Sequence, residues 1–471
     1  MGYFEILSEK IEARKAEWSA LSDQIWGFAE SRFQEFESVK SQIESMKSHG
    51  FRITRGLGGA ETAFMAEFGS GKPVIGFLGE YDALSGLSQK ADVTVQEPLE
   101  AGKDGHGCGH HFLGVGNMAA AVALKEYMEE TGLSGTIRYY GCPAEENAGG
   151  KAFMVRDGAF DDCDVALTWH PGWSNCVNKT GSLANFRVFF TFHGKSAHAA
   201  GSPHMGRSAL DAVELMNVGV NYMREHMIDQ ARIHYAVTNT GGTAPNVVQA
   251  EAQVLYAIRA PRVHQVKELF DRVCKIAQGA ALMTETTVEI RQVAAYADYI
   301  GNDVLQDLIR DNMNKIVPIG YTKEELEYAA KFQEVITDLN RDSMKNSAKK
   351  HFGKDAQKVL ENPMWDFVLP DATCGGSTDV GDVSWVCPTI WFHLATLAAG
   401  TPGHAWQTVA QGKSSIGHKG MLAAAKILAV SAYELLTDPE KVAAVKADWL
   451  EKLDGETYPN ALPKDLKPEI W

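Results

Sequence analysis

Short apolar runs separated by polar and glycine-rich segments recur in the first part of the chain. Three of these runs, residues 73–79, 135–141 and 165–169, do not alternate strictly, which indicates strands buried on both faces of a sheet. Apolar residues at helical spacing over 3–50 and 118–128 predict helices around and between them. Strands alternating with helices predict an α/β domain with a largely parallel or mixed sheet flanked by helices.

The pattern changes after residue 184. Strand-like and helix-like segments now follow in the order β-α-β-β-α-β, which predicts a ferredoxin-like α+β domain. The segments are 185–193, 206–226, 232–239, 251–259, 263–282 and 286–293. Beyond them, a charge-rich helical stretch at 323–358, a strand at 386–392 and a helix at 416–435 resume the first domain. We therefore predict a domain of residues 1–184 and 298–471, with a second domain, residues 185–297, inserted as a lid.

Composition narrows the class of protein. At 471 residues the chain is long enough for two domains, and its net charge of −15 argues against a nucleic-acid partner. The seven cysteines are odd in number and show no repeated pairing, so we do not expect a disulfide framework. The first residues lack the pattern of a signal peptide, and no apolar run approaches the roughly 18 residues that span a bilayer. These features predict a cytoplasmic protein with no membrane partner.

Metal-seeking side chains follow the predicted buried strands. Ligands collect beyond the carboxyl ends of strands in open α/β sheets, so these side chains are expected to meet. Thiolate, imidazole and carboxylate together suit borderline ions such as zinc, cobalt or manganese. Adjacent carboxylates point in different directions, so one can bind metal while the other acts as general base. The candidates are Glu80, Asp82, Cys108, His110, Glu145, Glu146 and His170.

Further candidates lie in loops. His404, in a Gly/Pro loop, is the preferred distal imidazole if two metals are bound, with His393 and His418 as alternatives on local grounds. Asp82 is expected to accept the free N–H of a ligand histidine.

The inserted domain offers three candidate substrate-binding residues. His198 lies in a small-residue loop, Asn246 follows a glycine-rich loop, and Arg259 ends a strand. An arginine there can grip a substrate carboxylate with two hydrogen bonds. Together they predict a lid that contacts substrate.

Four motifs carry information about family as well as about the chemistry of single residues. They are Cys108-Gly109-His110, Trp169-His170-Pro171, residues 375–385, and His404-Ala405-Trp406-Gln407. With them the chain resembles the dinuclear metallopeptidases and amidohydrolases that include aminoacylases, hippurate hydrolases, auxin-conjugate hydrolases and glutamate carboxypeptidases. Within that family it is most similar to the aminobenzoyl-glutamate utilization protein B group.

The resemblance implies hydrolysis of an N-acyl or N-aroyl amino acid, best p-aminobenzoyl-glutamate, with two divalent ions (Mn²⁺ or Zn²⁺) per subunit. It implies a homodimer, or a heterodimer with a related A subunit, joined through the lid. Glu145 would be the general base, His198 would reach a partner subunit's site, and Asn246 and Arg259 would hold the substrate carboxylate. The implied metal ligands are Cys108, His110, Glu146, His170 and His404.

Two residues depart from the family pattern. Glu80 stands where other branches carry a metal-binding histidine, and His111 stands where Asp or Asn is usual. Two other interpretations also stay open: Cys108 as a nucleophile with His110 or His111 as its base, and a non-catalytic subunit that serves a paralogous partner.

Overall fold

The computed structural model describes residues 2–369, 372–373 and 376–470. Cys374 and Gly375, the latter part of one family motif, lie outside the described residues. The strands are β1 Arg52–Arg55, β2 Phe64–Ser70, β3 Val74–Glu80, β4 Gly135–Cys142, β5 Val165–Gly172, β6 Cys176–Thr180, β7 Ala184–His193, β8 Arg232–Asn239, β9 Glu251–Ala260, β10 Thr287–Tyr296, β11 Ala372–Thr373 and β12 Thr389–Ala395.

Helices separate and follow these strands. They are α1 Tyr3–Ala13, α2 Lys15–Phe28, α3 Phe36–Ser48, α4 His110–Thr131, α5 Gly150–Arg156, α6 Ala209–Met223, α7 Val263–Thr284, α8 Asp303–Ile316, α9 Lys323–Glu334, α10 Asp338–Phe352, α11 Ala356–Leu360, α12 Val380–Ser384, α13 Trp406–Ala410, α14 Ser415–Thr437 and α15 Pro439–Leu453.

The larger sheet has the strand order β1-β2-β4-β3-β5-β12-β6-β11. Its centre, β4-β3-β5-β12, is parallel, while β2 joins β4 and β6 joins β12 in antiparallel pairs. The predicted mixed α/β fold is confirmed. Every residue of β3 is buried, as expected for a strand covered on both faces.

Helices α4 and α14 pack against each other and against this sheet. Helix α14 departs from the expectation that no apolar segment is long enough to span a bilayer. It is long and apolar enough to cross one by length and composition alone. In this fold 78% of its most apolar window is buried inside the protein, so its apolar character serves the core. The cytoplasmic location stays a prediction.

The second sheet is antiparallel, in the order β10-β7-β9-β8. Helices α6 and α7 pack on it and on each other, which confirms the ferredoxin-like β-α-β-β-α-β arrangement. The exact boundaries at 184/185 and 297/298 stay a prediction.

Two predicted elements have different bounds in the structure. Helix α4 begins at His110 rather than near residue 118, because Gly109 adopts a left-handed conformation (φ +82°) that ends the preceding loop. The predicted strand at 386–392 is β12, Thr389–Ala395, which places His393 inside the strand. This shift brings a polar ring to the carboxyl edge of the sheet.

Candidate active site

Four parallel strands end at one edge of the larger sheet. Glu80, the last residue of β3, lies opposite Cys142, the last residue of β4. In the next parallel pair, His170 of β5 lies opposite His393 of β12. The carboxyl edge therefore gathers the side chains predicted from scattered segments.

The Cys108–His110 loop lies directly against the end of β5. A Cβ on Gly109 would come within 2.9 Å of Pro171 Cβ, so the glycine permits this close approach. Cys108 Sγ lies 3.3 Å from His170 Nε2 as a result.

A carboxylate fixes the ring of His110. Its Nδ1 lies 2.7 Å from Asp82 Oδ1, and Asp82 Oδ2 accepts the backbone N–H of Glu146 at 2.9 Å. The other ring nitrogen, Nε2, is buried and has no hydrogen-bond partner in the part of the chain that the structure describes. A histidine with one nitrogen anchored by a carboxylate and the other left free is typical of a metal ligand.

Glu146 and His404 close the other side of the cluster. Glu146 Oε1 is buried without a hydrogen-bond partner, 3.9 Å from His110 Nε2 and 3.5 Å from His404 Nε2. Three overlapping groups have ligand atoms within 4.8 Å of one another: Cys108, His110 and His170; Cys108, Glu146 and His404; and Glu80, His110 and Glu145. Their donors and orphaned polar atoms fit divalent metal ions.

The carboxyl groups of the site strongly favour bound cations. Burial, then the charges of Glu80 and Glu146, raises the pKa of Glu145 well above its ordinary value. Burial opposes ionisation of Glu80 too, but the Lys151 ammonium lowers its pKa overall. Five carboxyl groups share this region with that one lysine: Glu80, Asp82, Glu145, Glu146 and Asp379. Bound cations would relieve this repulsion.

Two imidazoles at the edge, those of His170 and His393, are neutral. Burial, then the charge of His110, lowers the pKa of His170 to about 4, and burial with His170 lowers that of His393 to about 3. A neutral imidazole offers the lone pair that a metal requires. Burial raises the pKa of the Cys108 thiol, which disfavours a free reactive thiolate.

The turn that carries Glu145 is held from three directions. Ala144 adopts φ +56°, and its N–H donates to the buried Glu35 carboxyl at 3.1 Å. From the second sheet, Arg187 donates to the Glu146 carbonyl at 2.8 Å and Tyr296 to the Glu145 carbonyl at 3.0 Å. The two sheets therefore meet at the turn with the paired glutamates.

A cavity of about 440 Å³ opens onto these groups. Arg259 lines it, and its Nε is buried with no hydrogen-bond partner among the described residues. The volume suits a small organic ligand. The residues around it are Leu84, Cys108, Glu145, Glu146, Asn147, His170, Arg187, Arg259, Tyr296, Gly376, Ser377, Thr378, Trp391, His393 and His404.

Two predicted substrate-binding residues lie elsewhere within this subunit. His198 and Asn246 are exposed on the second sheet's loops, joined by the bond from Ala199 N–H to the Asn246 carbonyl, and do not line the cavity. Of the alternatives to His404, His393 lines the cavity, whereas His418 pairs with Asp23 at 2.9 Å.

Sequence reasoning missed five residues at or around the site: Glu35, Lys151, Arg187, Tyr296 and Trp391. Arg187 is the one charged residue in the first half of β7, beside Phe186 and Val188, which is a usable signal. Lys151 carries no such signal, because a lysine near a helix start is ordinarily exposed, whereas this one is fully buried.

Comparisons with known proteins agree with this fold. The family model described as the peptidase dimerisation domain of M20 proteins matches residues 180–283. A dinuclear metal binding peptidase from the M20 family of Bacillus subtilis shares the fold, with a TM-score of 0.53 and 15% identity over 89% of this chain and 99% of that one. The B subunit of the p-aminobenzoyl-glutamate hydrolase of Escherichia coli is 44% identical over 99% of this chain and 98% of its own. The chain belongs to the M20 peptidase family.

M20 proteins are peptidases and amidohydrolases, so this protein is a hydrolase that acts on amide bonds. Another M20 relative, the Xaa-Arg dipeptidase of Mus musculus, is 27% identical over 96% of this chain and 93% of its own. The match at 180–283 falls largely on the second sheet and its helices, so that part of the chain is a dimerisation domain by family.

Proposed function

We propose that this protein is a dinuclear metal-dependent hydrolase of N-aroyl amino acids, with p-aminobenzoyl-glutamate as the best substrate. The observation that carries the proposal is the convergence of three overlapping ligand groups on one cavity beside Glu145. Support for the substrate comes from the 44% identical relative, which is one of the subunits of a p-aminobenzoyl-glutamate hydrolase. The proposed ligands are Cys108, His110, Glu146, His170 and His404.

Two bound Mn²⁺ or Zn²⁺ ions would supply Lewis-acid activation of water and of the scissile carbonyl. Glu145 takes the proton from the attacking water and later gives it to the leaving amine. Glu145 lines the cavity next to the proposed ligand Glu146, where a carboxylate can act as general base on water in the cavity. Asp82 holds the His110 ring in the orientation that presents Nε2.

The lid supplies the remaining contacts with substrate. Arg259 lines the cavity, and we assign it to the substrate carboxylate. Asn246 does not line the cavity of its own subunit, so we assign it to the same carboxylate only across a dimer, together with His198. Backbone N–H groups of Ala200 and Gly201 donate to His198 Nδ1, which leaves Nε2 as the protonated nitrogen. That nitrogen can donate to the developing oxyanion in a partner subunit's site.

The cavity has an aromatic wall that can contact the aroyl group of the substrate. Trp391 and His393 line the cavity with their ring centroids 5.1 Å apart, and Trp391 is 5% exposed. Flat rings of this kind favour an aroyl over an aliphatic acyl group, because aromatic pairs gain energy beyond their buried area.

The test is an assay of the purified protein with Mn²⁺ or Zn²⁺ on p-aminobenzoyl-glutamate, hippurate, N-acetyl amino acids and Xaa-Arg dipeptides, with released amine as the readout. We expect p-aminobenzoyl-glutamate to have the highest kcat/KM and chelation to abolish turnover. Preference for Xaa-Arg dipeptides would instead show that the substrate specificity matches that of the dipeptidase relative.

The same assay decides the two alternative interpretations. The 3.3 Å contact of Cys108 with His170 resembles a thiol–imidazole pair, but a thiol hydrolase keeps its activity after chelation. A non-catalytic subunit would be inactive alone and would support turnover only by a related A subunit. Activity of the protein alone, lost on chelation, excludes both.

We also propose that the working assembly is a dimer formed through the second sheet. Helix α6 exposes Leu215, Val218 and Tyr222 at three- and four-residue spacing, and the edge strand β8 is exposed along most of its length. An apolar helix face beside an open strand edge is the kind of surface that a partner covers.

A further inference from the structure

We propose that Glu80 is an additional metal ligand of this site and that the buried Lys151–Asp379 pair is the device that positions it. The proposal rests on the proposed metal-dependent function. It concerns a carboxylate at the end of β3 that the five proposed ligands do not include.

Lys151 fixes one oxygen of Glu80. The lysine is fully buried, and its Nζ donates to Glu80 Oε1 at 2.5 Å and to Asp379 Oδ1 at 2.7 Å. The backbone N–H of Lys151 also donates to Asp379 Oδ2 at 2.9 Å. An ammonium anchored at two points leaves the Glu80 carboxylate little freedom to turn.

The other oxygen of Glu80 faces the ligand cluster. Glu80 Oε2 lies 3.2 Å from His110 Nε2, the nitrogen that has no hydrogen-bond partner. Ligand atoms of Glu80, His110 and Glu145 all lie within 4.8 Å of one another. Two ligand atoms that close together, with no hydrogen bond between them, are suited to a shared cation.

The charges explain why a lysine accompanies the carboxylate. The Glu80 carboxylate places a negative charge beside Glu145, whose surroundings already include Glu146 and Asp379. A buried carboxylate is tolerated when it is paired, and Lys151 pairs with Glu80 while leaving Oε2 unblocked. Asp379 in turn balances the lysine.

Three elements converge to build this device. Glu80 ends β3, Lys151 lies in the first turn of α5, and Asp379 immediately precedes α12. A purely structural tie between these elements would have the same hydrogen bonds. A measurement of metal binding therefore distinguishes a ligand role of Glu80 from a purely structural one.

The experiment measures metal affinity of the full-length protein with Glu80→Gln. Gln keeps the length and can still accept from Lys151, but its amide is a much poorer ligand. Each variant is equilibrated with buffered Mn²⁺ or Zn²⁺, bound metal is counted by elemental analysis, and the Mn²⁺ spin-resonance spectrum is recorded. We expect at least a tenfold loss of affinity for one of the two ions, as for changes around other metal sites.

Glu325→Gln is the matched control, because Glu325 is a largely buried carboxylate paired with Lys419 at 2.7 Å, away from the cavity. Its metal affinity and spectrum should equal those of the parent. A folded Glu80→Gln protein that binds two ions with parental affinity overturns the proposal.

If Glu80→Gln does not fold, Glu80→Asp takes its place. Aspartate keeps the charge for Lys151 but is one methylene shorter, so it cannot reach both partners, and the same loss is expected. Unchanged affinity in this variant also overturns the proposal. If the parent itself binds no ion, or Cys108→Ala binds as tightly as the parent, the proposed function fails independently of Glu80.

Discussion

Glu145 and Glu146 are adjacent in sequence but have different surroundings. Glu146 Oε1 faces two imidazoles, His110 and His404, whereas Glu145 belongs to the group formed with Glu80 and His110. One backbone turn thereby places Glu146 among the proposed metal ligands, while both glutamates line the cavity.

This division predicts different losses for two variants. Glu145→Gln should lower kcat by about 10²–10⁴-fold, because general-base catalysis contributes that much, with little change in bound metal. Glu146→Gln should lose metal instead. Turnover and metal content are measured on the same preparations, and parental turnover of Glu145→Gln would remove its assignment as the base.

Glu35 predicts a pH dependence of stability. Burial, then the charge of Asp82, raises its pKa to about 8, while in the unfolded chain it is near 4.5. A carboxyl whose pKa is raised on folding stabilises the protein fully below pH 4.5, and this contribution is lost as pH rises to about 8.

The free energy of unfolding should therefore fall less between pH 5 and 8 in Glu35→Gln than in the parent. The expected difference over this pH range is roughly 3 kcal/mol. Gln keeps the oxygen that accepts from Phe33 and Ala144. Urea unfolding of the metal-free parent and variant at three pH values measures the difference. An equal fall in both proteins would show that Glu35 ionises normally.

The sequence predicted the residues at strand ends and missed those held by long-range burial. Glu80, Glu146 and His170 follow or end apolar runs, so strand polarity alone brings them to one edge. Lys151 and Glu35 depend on contacts across 228 and 109 residues, which no local pattern encodes.

At the scale of elements, the close approach of α4 to β3 joins the loop ligands to the strand ligands. A Cβ on Gly114 of α4 would lie 2.5 Å from the Glu80 carbonyl oxygen of β3. Helix α4 carries His110 and β3 carries Glu80, so the spacing of these two elements sets the spacing of the two side chains.

Gly114→Ala should force the helix away from the strand, with a loss of about 1–3 kcal/mol in unfolding free energy and weaker metal binding. Gly279→Ala in α7 is the matched control. Nothing lies within 4 Å of a Cβ there, so the substitution should stabilise by about 0.5–1 kcal/mol. Denaturant midpoints and metal content measure both. Equal effects of the two substitutions would contradict this account.

Periodicity predicted most elements closely, for example β8 at 232–239, but it could not place the start of α4. The first turns of α4 are buried on all sides and include Gly114 and Gly116, so no amphipathic stripe marks them. Their sequence is set by contact with β3 and β5 rather than by helix propensity.

At the scale of the whole molecule, the site within one subunit lacks a contribution that the sequence predicts. His198 is exposed and does not line the cavity of its own subunit. If it serves a partner's site, as proposed, each site of the dimer combines Glu145 of one subunit with His198 of the other.

Mixing two inactive variants tests this arrangement. Dimers made only of Glu145→Gln or only of His198→Ala subunits lack one group in both sites. In a mixed dimer, the His198→Ala subunit keeps Glu145 and receives His198 from its partner, so one site is complete. Random mixing of equal amounts should restore about a quarter of parental activity in a symmetric dimer.

If His198 acted within its own subunit, mixed dimers would contain no complete site and activity would stay at the level of the separate variants. Co-expression with two affinity tags isolates the mixed dimer. Its turnover per dimer should be half of the parental value if His198 acts in the partner's site, and near zero if it acts within its own subunit.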